Sequence, residues 1–551
     1  MAFSSALILT DLNDYIAPSQ ACIKPVEITK SNDNNGPSEI KVDNEGSYYE
    51  ISHDGGEAKL EQASISLNDC LACSGCVTSA ESVLITMQSQ EELYQILKTN
   101  QDPTLIDQHR TIVISISPQS VASLSAKYKL PTLQVYKKLI TFFKHQLGAH
   151  HIFDIAYARD LSLVESTKEF IGRYNNYLSN GGEAIENQLH LQQQQQQGED
   201  ENGEGKTRTR RRRGAGAGAG AGGIAGQQQQ SIPMLASSCP GWVCYAEKTH
   251  GDVLPFISTT KSPQQMMGTL VKDYLAKKTN TSPERIYHVS IMPCYDKKLE
   301  ASRPDFFLET YNTREVDCVL TTGEVDKMFM EQNINFLELG ESPIDDIFNK
   351  INIDPVTQKE IGYGAAGSSS GGALEYILAS AAKELFQLHD VPSDPLLAQQ
   401  EQQQGRVIIK MGKNADVKEY FLQDDQGRIL LRFASAYGFR NIQNIVRKVK
   451  TGKSNYHFVE VMACPGGCIN GGGQLSIEQE QEQSIPVKDW VQYVESIYRS
   501  NPHSPPESNQ SLQSVYNEWV ANTPPDQISK LFHTQYHAVT QNLANPLATK
   551  W

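Results

Sequence analysis

EVMACPGGCINGGGQ, residues 460–474, is the stretch from which the rest of the chain is interpreted. Cys464 and Cys468 stand four apart, separated by Pro-Gly-Gly and followed by a run of glycines. The residues ahead of them, HFVEVMA, alternate and are rich in β-formers, which predicts a strand ending at the first cysteine. Two thiolates at such a strand-to-turn junction can meet one inorganic cluster, and the glycines let backbone approach it without side-chain clash. The plainer reading is a redox pair or a structural zinc site. Zinc usually recruits two CxxC-type pairs, and no matching second pair stands with this one. Counted with the cysteines upstream, the stretch points to iron–sulfur ligation.

Composition narrows the function classes. A chain of 551 residues is long enough for more than one domain and a sizeable core. Its formal net charge of -15 argues against general nucleic-acid binding, which needs a basic face. Ten cysteines are too few for a disulfide scaffold at this length, and their clustering fits metal ligation in a reducing compartment. The first residues, MAFSSALILTDLNDYIAP, carry no Lys or Arg and match neither a secretory signal nor a transit peptide. No run approaches the roughly 18 apolar residues of a membrane span. The expectation is a soluble cytoplasmic protein with no membrane or nucleic-acid partner.

Working outward to the N-terminus, residues 1–95 are expected to form a small iron–sulfur module. Cys70, Cys73 and Cys76 make CxxCxxC, the spacing that wraps three thiolates round one face of a cubane. A bacterial ferredoxin would carry another cysteine four residues later, where this chain has Ala80, so the module is read as half a ferredoxin. Cys22, in the same unit, is the candidate fourth ligand; alone it would read as a buried or free thiol.

From residue 96 the pattern is α/β. TIVISIS and HHIFDIA read as strands; the apolar spacing of Leu133, Tyr136, Leu139, Ile140, Phe143 and Leu147 predicts a helix capped at Gly148. Strand–helix alternation implies parallel sheets covered by helices. Residues 191–230, with a glutamine run, RTRTRRRR and a Gly-Ala repeat, cannot build a core and read as a disordered insertion dividing the core into 96–190 and 231–500. Cys239 precedes Pro240, which suits the first turn of a helix whose positive end favours a thiolate. RIYHVSIMPC is a strand that delivers Cys294, and Lys297 follows as a possible donor to a cluster sulfide or ligand. Cys244 and Cys318 read as core. GYGAAGSSSGGALEYIL fits no Walker spacing and reads as a loop packed closely against backbone. Residues 501–540 close with two helical stretches, and 541–551 is a polar tail ending in Trp551, read as a docking residue for a partner.

MACPGGCINGGGQ, SSCPGW around Cys239 and MPCYDKK around Cys294 resemble, in the right order, the three signature segments of the iron-only ([FeFe]) hydrogenases. The resemblance implies a two-lobed hydrogenase-like core in which Cys239, Cys294, Cys464 and Cys468 hold a [4Fe–4S] cluster, with Met292 and Met462 packed near it. Glu165 and Glu169 lie near where hydrogenases carry proton-pathway glutamates; a solvated helix face is the preferred reading of that pair. Hydrogenases place a second cysteine before the first ligand as a proton shuttle, and this chain has Ser238. A hydroxyl is a poor proton relay at neutral pH. With the single N-terminal cluster, this departure resembles the eukaryotic hydrogenase-like assembly factors of the cytosolic iron–sulfur pathway, the NARFL group. That likeness implies a non-enzymatic carrier with two [4Fe–4S] clusters, the first on Cys22, Cys70, Cys73 and Cys76. It implies delivery of clusters to cytosolic and nuclear apoproteins, with scaffold proteins and a targeting complex as partners and the nucleus as a second location. The alternatives are an active iron-only hydrogenase and a nuclear prelamin-A-binding relative.

Overall fold

Ile112, Ile114 and Ile116 lie on one face of the segment TIVISI and Val113 on the other, all buried, so that strand needs cover on both sides. The computed structural model supplies it. The structure describes residues 85–181, 232–348, 366–400, 405–412, 414–475 and 486–539, Gly364, and five short strands within 39–59 and 351–362. The chain divides into two units. In the smaller, the described sheet is a three-stranded antiparallel meander of Glu39–Val42, Tyr48–Ile51 and Glu57–Lys59. Cys22, Cys70, Cys73, Cys76, the insertion 191–230 and Trp551 lie outside the described residues.

Nine strands of the larger unit, Met87–Thr540, build two sheets. They are β1 (Thr111–Ile116), β2 (His151–Asp154), β3 (Met234–Ala236), β4 (Ile286–Met292), β5 (Cys318–Thr321), β6 (Val407–Met411), β7 (Val417–Gln423), β8 (Ile429–Tyr437) and β9 (Phe458–Met462). The first sheet runs β5-β4-β1-β2 and is parallel throughout. The second runs β6-β7-β8-β9-β3. Its β8, β9 and β3 are parallel, while β6, β7 and β8 form an antiparallel meander. The architecture is α/β in two lobes, as expected, with one lobe mixed rather than parallel.

The strand-to-helix turns after β1, β2 and β5 are capped by side chains. Ser117 after β1 accepts the Ser120 N–H at the start of α1 (Pro118–Tyr128), and Pro118 takes the first helical position. The helix expected from Leu133 onward forms as α2 (Thr132–Thr141), widens into a π-turn over Phe142–Gln146, and ends at Gly148, whose φ is +89°. Asp154 caps α3 (Ile155–Ser179) through the Ala156 N–H. This long helix joins the lobes. Tyr157 and Leu161 pack under the first sheet with Phe153, Met266 and Leu270, whereas Phe170 and Tyr174 pack on the second with Phe433 and Phe458. On the other face of the second sheet, Ile442, Ile445 and Val446 of α4 (Phe439–Lys450) cover Val459 and Val461. The closing segment is helical over Gln510–Ala521 and Pro525–Phe532, after which His533 pairs with Thr260 as extended chain rather than continuing the helix.

Candidate metal centre

Three parallel strand ends deliver the four cysteines. After β3, Ser237 donates its hydroxyl to the Val461 carbonyl (2.5 Å) and accepts the Cys239 N–H (3.1 Å). Cys239 is the N-cap of the helix Pro240–Thr249. Its Sγ accepts the Ala463 N–H at 3.5 Å, so the segment after β9 is tied to the first cysteine. Cys294 stands two residues beyond the end of β4, and Cys464 two residues beyond β9. Between Cys464 and Cys468 the chain turns through Gly466 and Gly467 at φ +74° and +89°, a region L side chains rarely adopt. The Gly467 N–H closes the turn on the Cys464 carbonyl (3.1 Å), and the Cys468 N–H meets Ser370 Oγ (3.3 Å).

The glycines after Cys468 do something other than admit a cluster. A Cβ at Gly471 would collide with the Pro293 carbonyl oxygen, and one at Gly473 would stand 2.6 Å from the Thr321 side chain. Gly473 also donates its N–H to the Pro293 carbonyl (2.9 Å). They allow the loop carrying Cys468 to lie directly on the loop carrying Cys294. The Gly-Ser loop expected to pack closely on backbone does so: the Ser369 carbonyl accepts from Gln119 (2.7 Å), and Ser370 touches the Cys464–Cys468 turn.

Cys239, Cys294, Cys464 and Cys468 all line one cavity. Ser238, Met292 and Met462 line it too, as does Lys297. Among the described residues, no three His, Cys, Asp or Glu side chains converge on a single-ion position. Four thiols round an apolar-walled cavity are a soft donor set suited to an iron–sulfur cluster.

Burial pushes all four thiols up. For Cys294 the charge of Asp296 and of the other three cysteines adds to burial and carries it well above the usual thiol range. Cys239 is raised by burial and Asp296, Cys464 by burial and Cys239. Cys468 is pushed up to about 12 by burial and Cys239, with Lys297 opposing. Four thiolates in this setting require a countercharge, which the cationic core of an iron–sulfur cluster would supply.

The other residues singled out by sequence fall differently. Lys297 is buried and already engaged, donating to Glu300 (2.7 Å) and Ser262 (3.2 Å). Cys318 is buried in β5, as expected of core. Cys244 is half-buried and lines a separate small cavity beside Thr260 and Arg303. Glu165 and Glu169 do not form a solvated face. Both are buried: Glu165 accepts from Lys168 (2.9 Å) and Tyr516 (2.6 Å). Glu169 accepts from Arg173 (2.6 Å), Ser258 (2.7 Å) and the Thr259 and Thr260 backbone. The segment Ser258–Thr260 and the closing helices cover that side of α3, which local periodicity could not show. Sequence reasoning also passed over Arg159, on the cavity wall, and the buried carboxyl pair Glu375 and Glu460. The one available signal was an Arg-Asp pair inside the otherwise apolar segment IAYARDLSL.

Comparison with known proteins agrees with this geometry. The family described as "Iron only hydrogenase large subunit, C-terminal domain" matches residues 110–182 and 223–472. Among solved structures, an [FeFe]-hydrogenase from Chlamydomonas reinhardtii aligns with a TM-score of 0.57 at 23% identity, over 82% of this chain and 99% of its own, which shows a shared fold. Curated relatives extend over the whole length. "Cytosolic Fe-S cluster assembly factor narfl" of Xenopus tropicalis is 44% identical over 100% of this chain and 99% of its own. "Cytosolic iron-sulfur assembly component 3" of Rattus norvegicus is 43% identical over the same shares. No helix of the described residues is long and apolar enough to cross a membrane. With the hydrogenase fold, the cysteine cavity and full-length identity of this order together, the chain belongs to the NARFL group of cytosolic iron–sulfur cluster assembly factors, within the iron-only hydrogenase-like family.

Proposed function

We propose that this protein is a component of the cytosolic iron–sulfur assembly machinery that binds two [4Fe–4S] clusters and passes clusters to cytosolic and nuclear apoproteins without turning over hydrogen. The second cluster would be held by Cys239, Cys294, Cys464 and Cys468, the first by Cys22, Cys70, Cys73 and Cys76. The observation that carries the reading is the convergence of the four core cysteines, from three strand ends, on one cavity. Ser238, half-buried on that cavity, stands where a hydrogenase needs a proton-donating thiol. A bound cluster supplies the iron and sulfide to be passed on. The chain's own residues orient the thiols: Ser237, Ser370 and the glycine turn fix where they point, and the apolar wall excludes water. Trp551 is the proposed contact with a targeting complex, scaffold proteins being the source of clusters.

The test is anaerobic iron and sulfide analysis of reconstituted full-length protein with Mössbauer spectra. About eight iron atoms per chain are expected, falling to about four in Cys239→Ser. Zinc in place of iron, or about four iron atoms in the unaltered protein, would overturn the reading.

A further inference from the structure

Arg159 lines the same cavity as the four cysteines, from near the start of α3. It is 4% exposed, and its hydrogen bonding is incomplete. Its NH1 donates to the Tyr498 hydroxyl at 3.2 Å. Its NH2 stands 3.7 Å from Asp160 Oδ1, beyond hydrogen-bond reach, and neither NH2 nor Nε has a hydrogen-bond partner. A guanidinium is permanently charged and carries five donors in a fixed fork. Asp160 and Asp154 offset part of its charge, but two of its donor nitrogens stay unsatisfied, and such buried donors are costly unless an acceptor meets them. The other cation on the wall, Lys297, is already committed to Glu300 and Ser262, and the remaining charge there, Asp296, is negative and opposes thiolates.

We propose that Arg159 is a positioning residue for the anionic unit that the four cysteines form with their cluster, setting its redox poise and slowing loss of iron. This rests on the cluster reading of that cavity. A cubane of core charge 2+ on four thiolates is a net dianion, and accepting one electron makes it more negative. A buried cation with free donors therefore favours the reduced over the oxidised form, and both over the empty site. Hydrogen bonds and charge beside cluster sulfurs are among the terms that tune such potentials.

The experiment is a reductive titration of anaerobically reconstituted full-length protein, with dithionite as electron donor and electron paramagnetic resonance as readout. The second cluster's signal is identified as the one missing from Cys239→Ser. Iron release to a chelator is followed in parallel. Arg159→Met should shift that signal's midpoint to a more negative potential and speed iron release about tenfold or more. Arg159→Lys, which restores the charge, should recover most of the shift. Tyr498→Phe, which removes the hydroxyl that accepts from Arg159 NH1 but no charge, should leave the midpoint in place. An unchanged midpoint and release rate in Arg159→Met would overturn the inference, as would an equal shift in Tyr498→Phe. If the methionine variant does not fold, Arg159→Gln replaces it with the same two outcomes. Absence of the signal from the unaltered protein would overturn the underlying cluster reading instead.

Discussion

Replacing Glu375 by Gln should make the protein more stable at high pH and leave it nearly unchanged at low pH. Glu375 lies in the helix Ala373–Phe386, close to Glu460 of β9, and both are buried. The Tyr437 hydroxyl donates to Glu460 Oε2 at 2.5 Å, but Glu375 Oε2 and Glu460 Oε1 have no hydrogen-bond partner. Burial first, then the charges of Glu460 and Asp394, push the Glu375 carboxyl from its ordinary 4.5 up to about 8. The folded chain therefore keeps a proton that the unfolded chain releases. The stability tied to that proton is full below about pH 4.5 and is lost as pH rises toward 8, at about 1.4 kcal/mol per unit. By pH 7 the loss reaches roughly 3 kcal/mol, and an amide, which cannot ionise, escapes it. With an unfolding entropy of about 2 cal/mol/K per residue over roughly 450 residues, this corresponds to a shift of about 3 °C in Tm. Melting curves of anaerobically loaded Glu375→Gln and unaltered protein should nearly coincide at pH 5 and separate by about that amount toward pH 8. A gap that does not widen with pH, or a variant less stable at both values, would refute the reasoning and show the carboxylate to be ionised and partnered in the fold.

Glu169→Ala should cost about 3–5 kcal/mol, because it strands the buried Arg173 guanidinium, and urea unfolding measures it. Although burial works to raise it, Arg173 and the Ser258 hydroxyl hold the Glu169 carboxyl below its usual range, so this contribution is present above the unfolded-state pKa and fades as pH falls through the folded value. Gly471→Ala should push the loop bearing Cys468 off the Pro293 carbonyl and lower iron content to about four atoms per chain, read by metal analysis, while the N-terminal site stays loaded. Hydrogen evolution with a reduced dye should be absent, and Ser238→Cys alone should not create it; gas chromatography decides both.

The chemistry-bearing parts of this molecule were legible where spacing carries them. The strand–helix alternation from Thr111 onward, the placing of Cys294 and Cys464 at strand ends, and that of Cys239 at a helix start follow from local pattern and appear in the fold. What was not legible depends on distant chain. VKEYFLQ becomes the middle strand of an antiparallel meander because β6 and β8 flank it, and its own alternation is weak. Glu165 and Glu169 lie at helical spacing on what looks like a polar face, yet Ser258–Thr260, Tyr516 and His533 close over it. Arg159 reads locally as an ordinary helix arginine, and its position on the cysteine cavity follows from the packing of α3 between two lobes.

The three-residue strand β3 owes its place to β9, which pairs with it in parallel register from 224 residues further along the chain. Cys239 is held by the same neighbours, through Ser237 on the Val461 carbonyl and the Ala463 N–H on its own sulfur. The first thiol of the cavity therefore has no fixed position until the last motif has left the ribosome. A nascent chain can finish the first sheet, from β1 to β5, while the metal site is still open on one side. Insertion of a cluster must then be one of the last events in the protein's maturation, after translation has passed β9. A truncation just before residue 458 would keep the four strands of the first sheet, lose the closing helices that pack beneath it, and hold no iron in this cavity.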